Sequence, residues 1–487
     1  MDGLAADGLV ADSVVVFVKR DCETCVMVQP VLQQLVDAGV VSQVITQDHG
    51  FPTLESDSPI ITVDETLERS WRADIETVPT LIAVADDAEV DRTFGWHREQ
   101  WEALTGVDDL GPDLPVMKPG CGSKNVDPDI ADKLNAQFGD ATTTSRRVQF
   151  AELEDEFEAM YDRGWSDGLP LVPPTPERVE RMMAGTSRAA GDIVATVPPN
   201  LVDATVEKVA INAVMAGCKP EYFPVVLAGL EAVCNDEFNM HGVLATTMGV
   251  GPVLIVNGPI SREIDMNSGM NVFGQGNRAN STIGRAVQLT VRNVGGGRPG
   301  EIDRSTQGQP GKLGLCFAED ELDSPWPNLA TTQGFGAEAN TVTAFTGEAP
   351  RIIFDQMSRT PESLTASIAS VMLSNVHPRI TGMDTVLAIC PEHMARYRDA
   401  GWTKEQFETE LRSHLDIEVD TILRGVDNIG EGIPPGLGFE GSKLPKFRDG
   451  GILIVHAGGP AGLFSSVIGG WVSGPMGSVP VTKEIVK

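Results

Sequence analysis

The run Cys22-Glu23-Thr24-Cys25 constrains this chain more than any other feature. It stands where an apolar segment, Val14-Val15-Val16-Phe17-Val18, gives way to a helical pattern from Met27 to Ala38. Strand followed by helix gives the amino-terminal region an α/β reading. Two cysteines at i and i+3 on a first helical turn can close into one disulfide. The partial positive charge of a helix N-terminus favours the thiolate of the first. A CxxC also occurs in zinc sites, but no second CxxC or paired histidines complete a metal set nearby.

Downstream comes Thr77-Val78-Pro79-Thr80-Leu81-Ile82-Ala83-Val84. Glu89 to Gly95 reads as the second strand of a hairpin ending in glycine, and Arg98 to Leu104 as a closing helix. Over residues 13–106 the chain resembles the thioredoxin superfamily, whose members place a Val-Pro-Thr cis-proline loop against the dithiol. The resemblance implies Cys22 as attacking thiol, Cys25 as resolving thiol and Pro79 as the substrate-facing cis-proline. Thioredoxins usually carry Trp before the first cysteine and Gly-Pro between the two, where this chain has Asp21 and Glu23-Thr24. Their usual buried acid, six residues before the first cysteine, is replaced by Val16. Asp21 and Glu23 are expected to raise the pKa of Cys22. A dedicated internal partner is therefore expected rather than general reductase activity.

The chain has 487 residues, enough for two to four domains. A formal net charge of −32 argues against nucleic acid or an anionic membrane as partner. No cationic segment followed by an apolar one opens the sequence, so a cytoplasmic protein is expected. The 7 cysteines show no disulfide framework. Gly451 to Trp471 is long and apolar, but His456, Pro460 and its glycines favour a buried strand and loop over a membrane span.

Residues 1–12 read as a disordered leader. Residues 107–149, mostly rich in Pro, Gly, Asp and Thr, read as a linker with a short helical pattern at Asp129 to Phe138. The linker holds Cys121 between Gly120 and Gly122, an accessible position for a third thiol or a shuttle. Residues 150–487 read as a larger α/β domain, of one or two subdomains, opening with an acidic helix and the stiff, turn-rich Gly164-Trp165-Ser166-Asp167-Gly168-Leu169-Pro170.

Three segments of the larger domain look chemical. Asn239 to Gly249 brings His241 near Cys234 in sequence. Asn267 to Arg285 gathers Asn271, Asn277, Arg278, Asn280, Ser281, Thr282 and Arg285 on a glycine-rich loop entering a helix, a pattern suited to an anionic group. Gly451 to Gly477 reads as a strand ending at His456, a glycine-rich loop and a helix, the general form of an anion cradle. Each has a structural alternative: hydrogen-bonded histidines, backbone-capping asparagines, simple turns. Cys218, Cys234, Cys316 and Cys390 lie on apolar stretches, where packing is the usual role. Cys390-Pro391-Glu392-His393, with His377, forms a further Cys/His grouping.

These features give an α/β fold, with an N-terminal thioredoxin-like fold joined by a linker to a larger α/β domain. The expected activity is a thiol-dependent oxidoreductase or reductive lyase acting on a small polar or anionic substrate. The CxxC supplies electrons, and Cys121 or Cys234 is the recipient thiol. A redox-active disulfide is the cofactor-like group implied, and a thiol the expected reductant. A metal-dependent lyase or hydrolase using Cys and His with a metal ion, and a non-catalytic binding protein, remain open alternatives. A homo-oligomer is compatible with the composition.

Overall fold

A computed structural model of the protein describes residues 13–55, 60–85, 88–127, 155–474 and 476–487. Between 128 and 154 it describes only residues 130, 131, 133, 134, 138, 145 and 148. The leader at 1–12, the start of the acidic helix at 150–154 and most of the Asp129–Phe138 pattern lie outside the described residues. The chain divides into two compact units, Met1–Thr142 and Thr143–Lys487, both mixing helices and strands.

In the first unit, β1 (Ser13–Val18) is apolar without alternation because it lies in the middle of a sheet. The other strands are β2 (Val41–Thr46), β3 (Ile60–Val63), β4 (Thr80–Ala85) and β5 (Ala88–Phe94), in the order β3-β2-β1-β4-β5. β1, β2 and β3 run parallel, while β4 is antiparallel to both β1 and β5. Helix α1 (Glu23–Met27) begins at Cys22, α2 (Gln29–Asp37) follows with proline in its first turn, and α3 (Glu68–Arg72) and α4 (Arg98–Thr105) complete the unit.

The linker expectation fails for its first half. Residues 107–127 are folded onto the first unit. Met117–Lys118 pairs with Trp96–His97, and Cys121–Gly122 pairs with Thr77–Val78. Trp96 donates to the Pro115 carbonyl at 2.6 Å. Beyond Cys121 a buried polar network takes over. The Gln47 amide donates to Ser70 Oγ (3.0 Å) and Ser123 Oγ (2.6 Å), and its carbonyl accepts from the Lys124 N–H (3.0 Å). Asn125 donates to the Ile75 carbonyl at 2.9 Å. Stranding one such buried amide costs about 1–3 kcal/mol, so the network holds the segment in register. Proline and glycine here shape tight turns rather than freedom.

The second unit is a stack of four layers. Helices α5 (Val206–Ala216), α6 (Phe223–Val233) and α7 (Arg278–Asn293) cover a sheet of β6 (Gly251–Asn257), β7 (Leu315–Ala318), β8 (Thr341–Gly347) and a C-terminal strand, Val481–Glu484. A second sheet packs on the far face of the first. It contains β9 (Arg351–Phe354), β10 (Met383–Ile389), β11 (Phe447–His456) and β12 (Phe464–Gly469). Val253, Ile255 and Phe317 of one sheet meet Val386, Leu453 and Val455 of the other. Helices α8 (Pro361–Leu373), α9 (Pro391–Asp399) and α10 (Lys404–Ser413) close the outer face of the second sheet through Leu364, Tyr397 and Phe407. Strands β6, β8 and β10 are buried at every position because both their faces are covered. Among the described residues no helix is long and apolar enough to cross a membrane.

Candidate functional site

Helix α1 leaves its first N–H groups without helical partners, as every helix does. Here the Cys22 sulfur takes one of them. Cys22 is the N-cap residue, and its Sγ accepts from the Cys25 N–H at 3.3 Å. The thiol of Cys25 also lies within hydrogen-bonding reach of Cys22, and so does that of Cys121. The Cys121 thiol lies beside the backbone of Glu23 and Thr24 at the same turn. Three sulfurs therefore share one helix N-terminus. All are free thiols.

Their protons are unequally held. The Cys22 pKa is lowered to about 5, chiefly by the hydrogen bond from Cys25, with further help from Cys121 and the backbone N–H groups. Cys25 is pushed far up by burial and by the neighbouring Cys22 sulfur. Cys121 is also raised, again by burial and then by Cys22. One thiolate stabilised by two thiol donors is the physical description of this centre. The expected rise of the Cys22 pKa is overturned. The Glu23 carboxylate turns outward to Lys118 (3.1 Å) and that of Asp21 to Lys19 (3.5 Å), so neither opposes the thiolate.

Long-range contacts put Cys121 there. It pairs with Val78, whose carbonyl oxygen lies 3.3 Å from Cys22 Sγ and accepts from the protonated thiol. The buried Pro79 follows across a cis peptide bond. Thr24 Oγ1 donates to the Pro119 carbonyl at 2.6 Å, tying the strap to α1. Gly120 crosses where a side chain has no room: a Cβ would lie 2.4 Å from Thr77 Cγ2 and 2.6 Å from the Val78 oxygen. The opposing Gly95 approaches as closely, 2.7 Å from the Gly120 nitrogen by the same measure. Cys22 and Cys25 are fully buried under this strap, while Cys121 is half-buried at its edge.

The expected sites of the second unit fare differently. Cys234 ends α6 with its thiol pushed up to about 12 by burial, while His241 stands exposed on the short helix Met240–Ala245. A neutral thiol packed against the core does not suit the role of recipient. The asparagine-rich loop spends its amides on itself. Asn277 caps α7 through the Asn280 N–H (2.9 Å), Asn280 brackets the backbone of Asn267, and Asn271 donates to the Gln275 carbonyl (2.8 Å). Thr282 bonds back to the Arg278 carbonyl (2.8 Å), Arg278 donates to the Gly217 carbonyl (2.9 Å), and Ser281 is exposed. Arg285 is held by both oxygens of Asp167 at 2.7 Å, and this pair depresses the Asp167 pKa against the effect of burial.

In the third segment a strand, β12, follows the glycine loop where a helix was expected. The loop does cradle an anion, the chain's own Glu392, which accepts from the Gly462 and Leu463 N–H groups. His456 is buried; its Nδ1–H donates to the Asp320 carbonyl at 3.0 Å, and its Nε2 has no partner among the described residues. Nearby Glu319 is sealed from water, which raises its pKa to about 7.

The grouping at Cys390 is more ordered than the sequence suggested. Cys390 is the N-cap residue of α9 and lies within hydrogen-bonding reach of His393. His393 Nε2–H donates to the Asp355 carbonyl at 2.9 Å, which leaves Nδ1 facing Ser465 Oγ at 2.7 Å. The imidazole lowers the Cys390 pKa despite burial, and the thiol raises that of His393. Among the described residues no group of three or more His, Cys, Asp and Glu side chains is arranged to hold a metal ion. Comparison with protein-family models, curated proteins and solved structures finds no match to this chain.

Proposed function

We propose that the protein is a thiol–disulfide oxidoreductase working through Cys22, Cys25 and Cys121, and that its amino-terminal unit is thioredoxin-like. The order β3-β2-β1-β4-β5, with the dithiol opening the helix after β1 and Pro79 preceding β4, supports the fold reading. The observation that carries the function is the split of proton affinity among three neighbouring sulfurs, Cys22 down and the other two up.

In the forward step the Cys22 thiolate attacks a substrate disulfide, forming a mixed disulfide and expelling one substrate thiolate. Cys25 or Cys121 then gives its proton to the substrate thiolate expelled in the first step and attacks Cys22 Sγ, breaking the mixed disulfide and releasing the second substrate thiolate. The substrate gains two electrons and the centre is left with one internal disulfide. A small thiol restores the reduced state by the reverse exchanges. Cys121, nearer solvent, is the natural sulfur for that restoration, and Cys25 for resolution within the core. Electrons delivered this way support chemistry on a small polar or anionic substrate of the larger unit.

Trapping separates the roles. In full-length protein, Cys25→Ser/Cys121→Ser is expected to accumulate a mixed disulfide at Cys22 with a small aromatic disulfide, seen by intact mass. Cys22→Ser should accumulate none. Equal adduct yields in both variants would refute the assignment.

A further inference from the structure

The chain carries 69 acidic against 37 basic side chains, so an arginine without a carboxylate partner stands out. Two such arginines lie together in the larger unit. Arg292 is in the last turn of α7, and Arg298 follows the Gly295-Gly296-Gly297 turn. Both border one cavity of about 380 Å³, with Asn200, Asn293 and Ile302. Among the described residues neither makes an ion pair, and the Nε–H of each is sealed from water with no acceptor. Asp167, which also faces Arg292, is occupied by Arg285. Glu301 borders the cavity but forms no ion pair with either guanidinium among the described residues. The end of α7 offers Arg292 some negative charge from its carbonyls, and Arg298 has no such relief.

The surroundings are rigid. Asn293 donates to the Trp165 carbonyl at 3.1 Å and to Asn212 at 2.9 Å, fixing the Gly-Trp-Ser-Asp turn beside the arginines. Gly296 has a φ of +82°, and a Cβ there would lie 2.3 Å from the Asn200 amide. Arg292 also lines a second cavity of about 230 Å³ with Met240, Leu244 and Leu313 on its wall. Burial first, and then the neighbouring Arg298, lower the Arg292 pKa against the opposing pull of Asp167 and Glu301, so an entering anion would relieve the crowding of two guanidinium groups in one cavity.

We infer that Arg292 and Arg298 form a binding site for the oxyanion group of a small molecule, a carboxylate or a phosphate. The inference rests on the reading that the larger unit takes a small anionic substrate, and it moves the anion site away from Arg278 and Arg285. Guanidinium pairs suit this task because each presents a planar fork to two oxygens at once.

The test is isothermal titration of the full-length protein with sodium phosphate, acetate and succinate at low chloride. It is run on the native chain, on Arg292→Met and Arg298→Met, and on Cys22→Ser/Cys25→Ser. Saturable binding of one anion class is expected, weakened at least tenfold in each arginine variant and unchanged in the thiol variant. Phosphate alone binding identifies a phosphate ester, and the two carboxylates alone an organic acid. Without anion, both arginine variants should melt at or above the native temperature, since each removes one of two like charges. No saturable binding, or binding unaltered by both arginine changes, would overturn the inference. So would marked destabilisation of both variants in the absence of anion. Because the thiol variant is measured beside them, failure of the redox reading leaves this result legible.

Discussion

Cys22 and Cys390 occupy the same local position in different units. Each follows a buried strand, each caps a helix, and each has its pKa lowered although it is buried. Their partners differ. Two sulfurs lean on Cys22, whereas an imidazole leans on Cys390 and no sulfur is among the groups that shift it. A proton can move in both places. Among the described residues only the first has other sulfurs among the groups that shift it, which is what the proposed two-electron exchange requires. A lowered thiol pKa at a helix N-terminus is thus a shared starting point, and the neighbouring group decides between redox and acid–base chemistry.

The comparison breaks most decisively through substitution of each thiol. Cys22→Ser is expected to cut reduction of a small aromatic disulfide more than a hundredfold, while Cys390→Ser leaves it within about twofold. Equal losses would erase the distinction. Next in size is His393→Gln. Removing the imidazole should raise the Cys390 pKa and slow its alkylation at pH 7 about tenfold by peptide mass mapping, with labelling in residues 13–127 unchanged. The variant should also lose about 1–3 kcal/mol of stability, since Ser465 and the Asp355 carbonyl lose a buried partner.

Gly120→Ala sharpens the first half of the comparison. No space exists for the added methyl, so the strap must shift and take Cys121 with it. The Cys22 pKa should then rise, read as a higher midpoint in the pH profile of its reaction with the aromatic disulfide. The smallest expected effect is on stability. A thiol with a depressed folded pKa contributes stability that is present above the unfolded value, near 9, and lost as pH falls through about 5. Cys25 and Cys121 are raised, so their contribution is full below their unfolded value and lost above it. Hydrogen-exchange protection of β1 should therefore rise from pH 5 to 8, more steeply in the native chain than in Cys22→Ser.

The legible parts of this protein are the local ones. A run of β-branched residues, a CxxC and a helical period are read within one stretch of chain, and β1, α1 and α2 lie where that pattern places them. In the second unit β11 lies where the apolar run before His456 places a strand. Cys121 was noticed but misplaced. Its position depends on the contact of Thr24 with Pro119, 95 residues apart, and on two glycines that must pass each other. Turn-forming residues look alike whether they loosen a linker or crowd a strap.

The asparagines from 267 to 280 posed the same difficulty, since an amide that caps a helix has the chemistry of one that binds a ligand. Among the arginines, pairing is a tertiary fact. Arg285 meets Asp167 from 118 residues away, and nothing near Arg292 in sequence marks it as left over. At β12 the glycine-rich approach has the composition of an anion loop opening a helix, whereas the anion it holds is the chain's own Glu392 and a strand follows.

One ionised sulfur shared by two thiols is the centre of the proposed chemistry. Its most direct measurement is thiolate absorbance at 240 nm against pH in full-length Cys390→Ser protein, reduced and free of oxygen. One thiolate is expected to appear with a midpoint near pH 5, to vanish in Cys22→Ser, and to move to higher pH in Cys121→Ser. Absence of any thiolate below pH 8, or a low-pH thiolate that persists without Cys22, would contradict it.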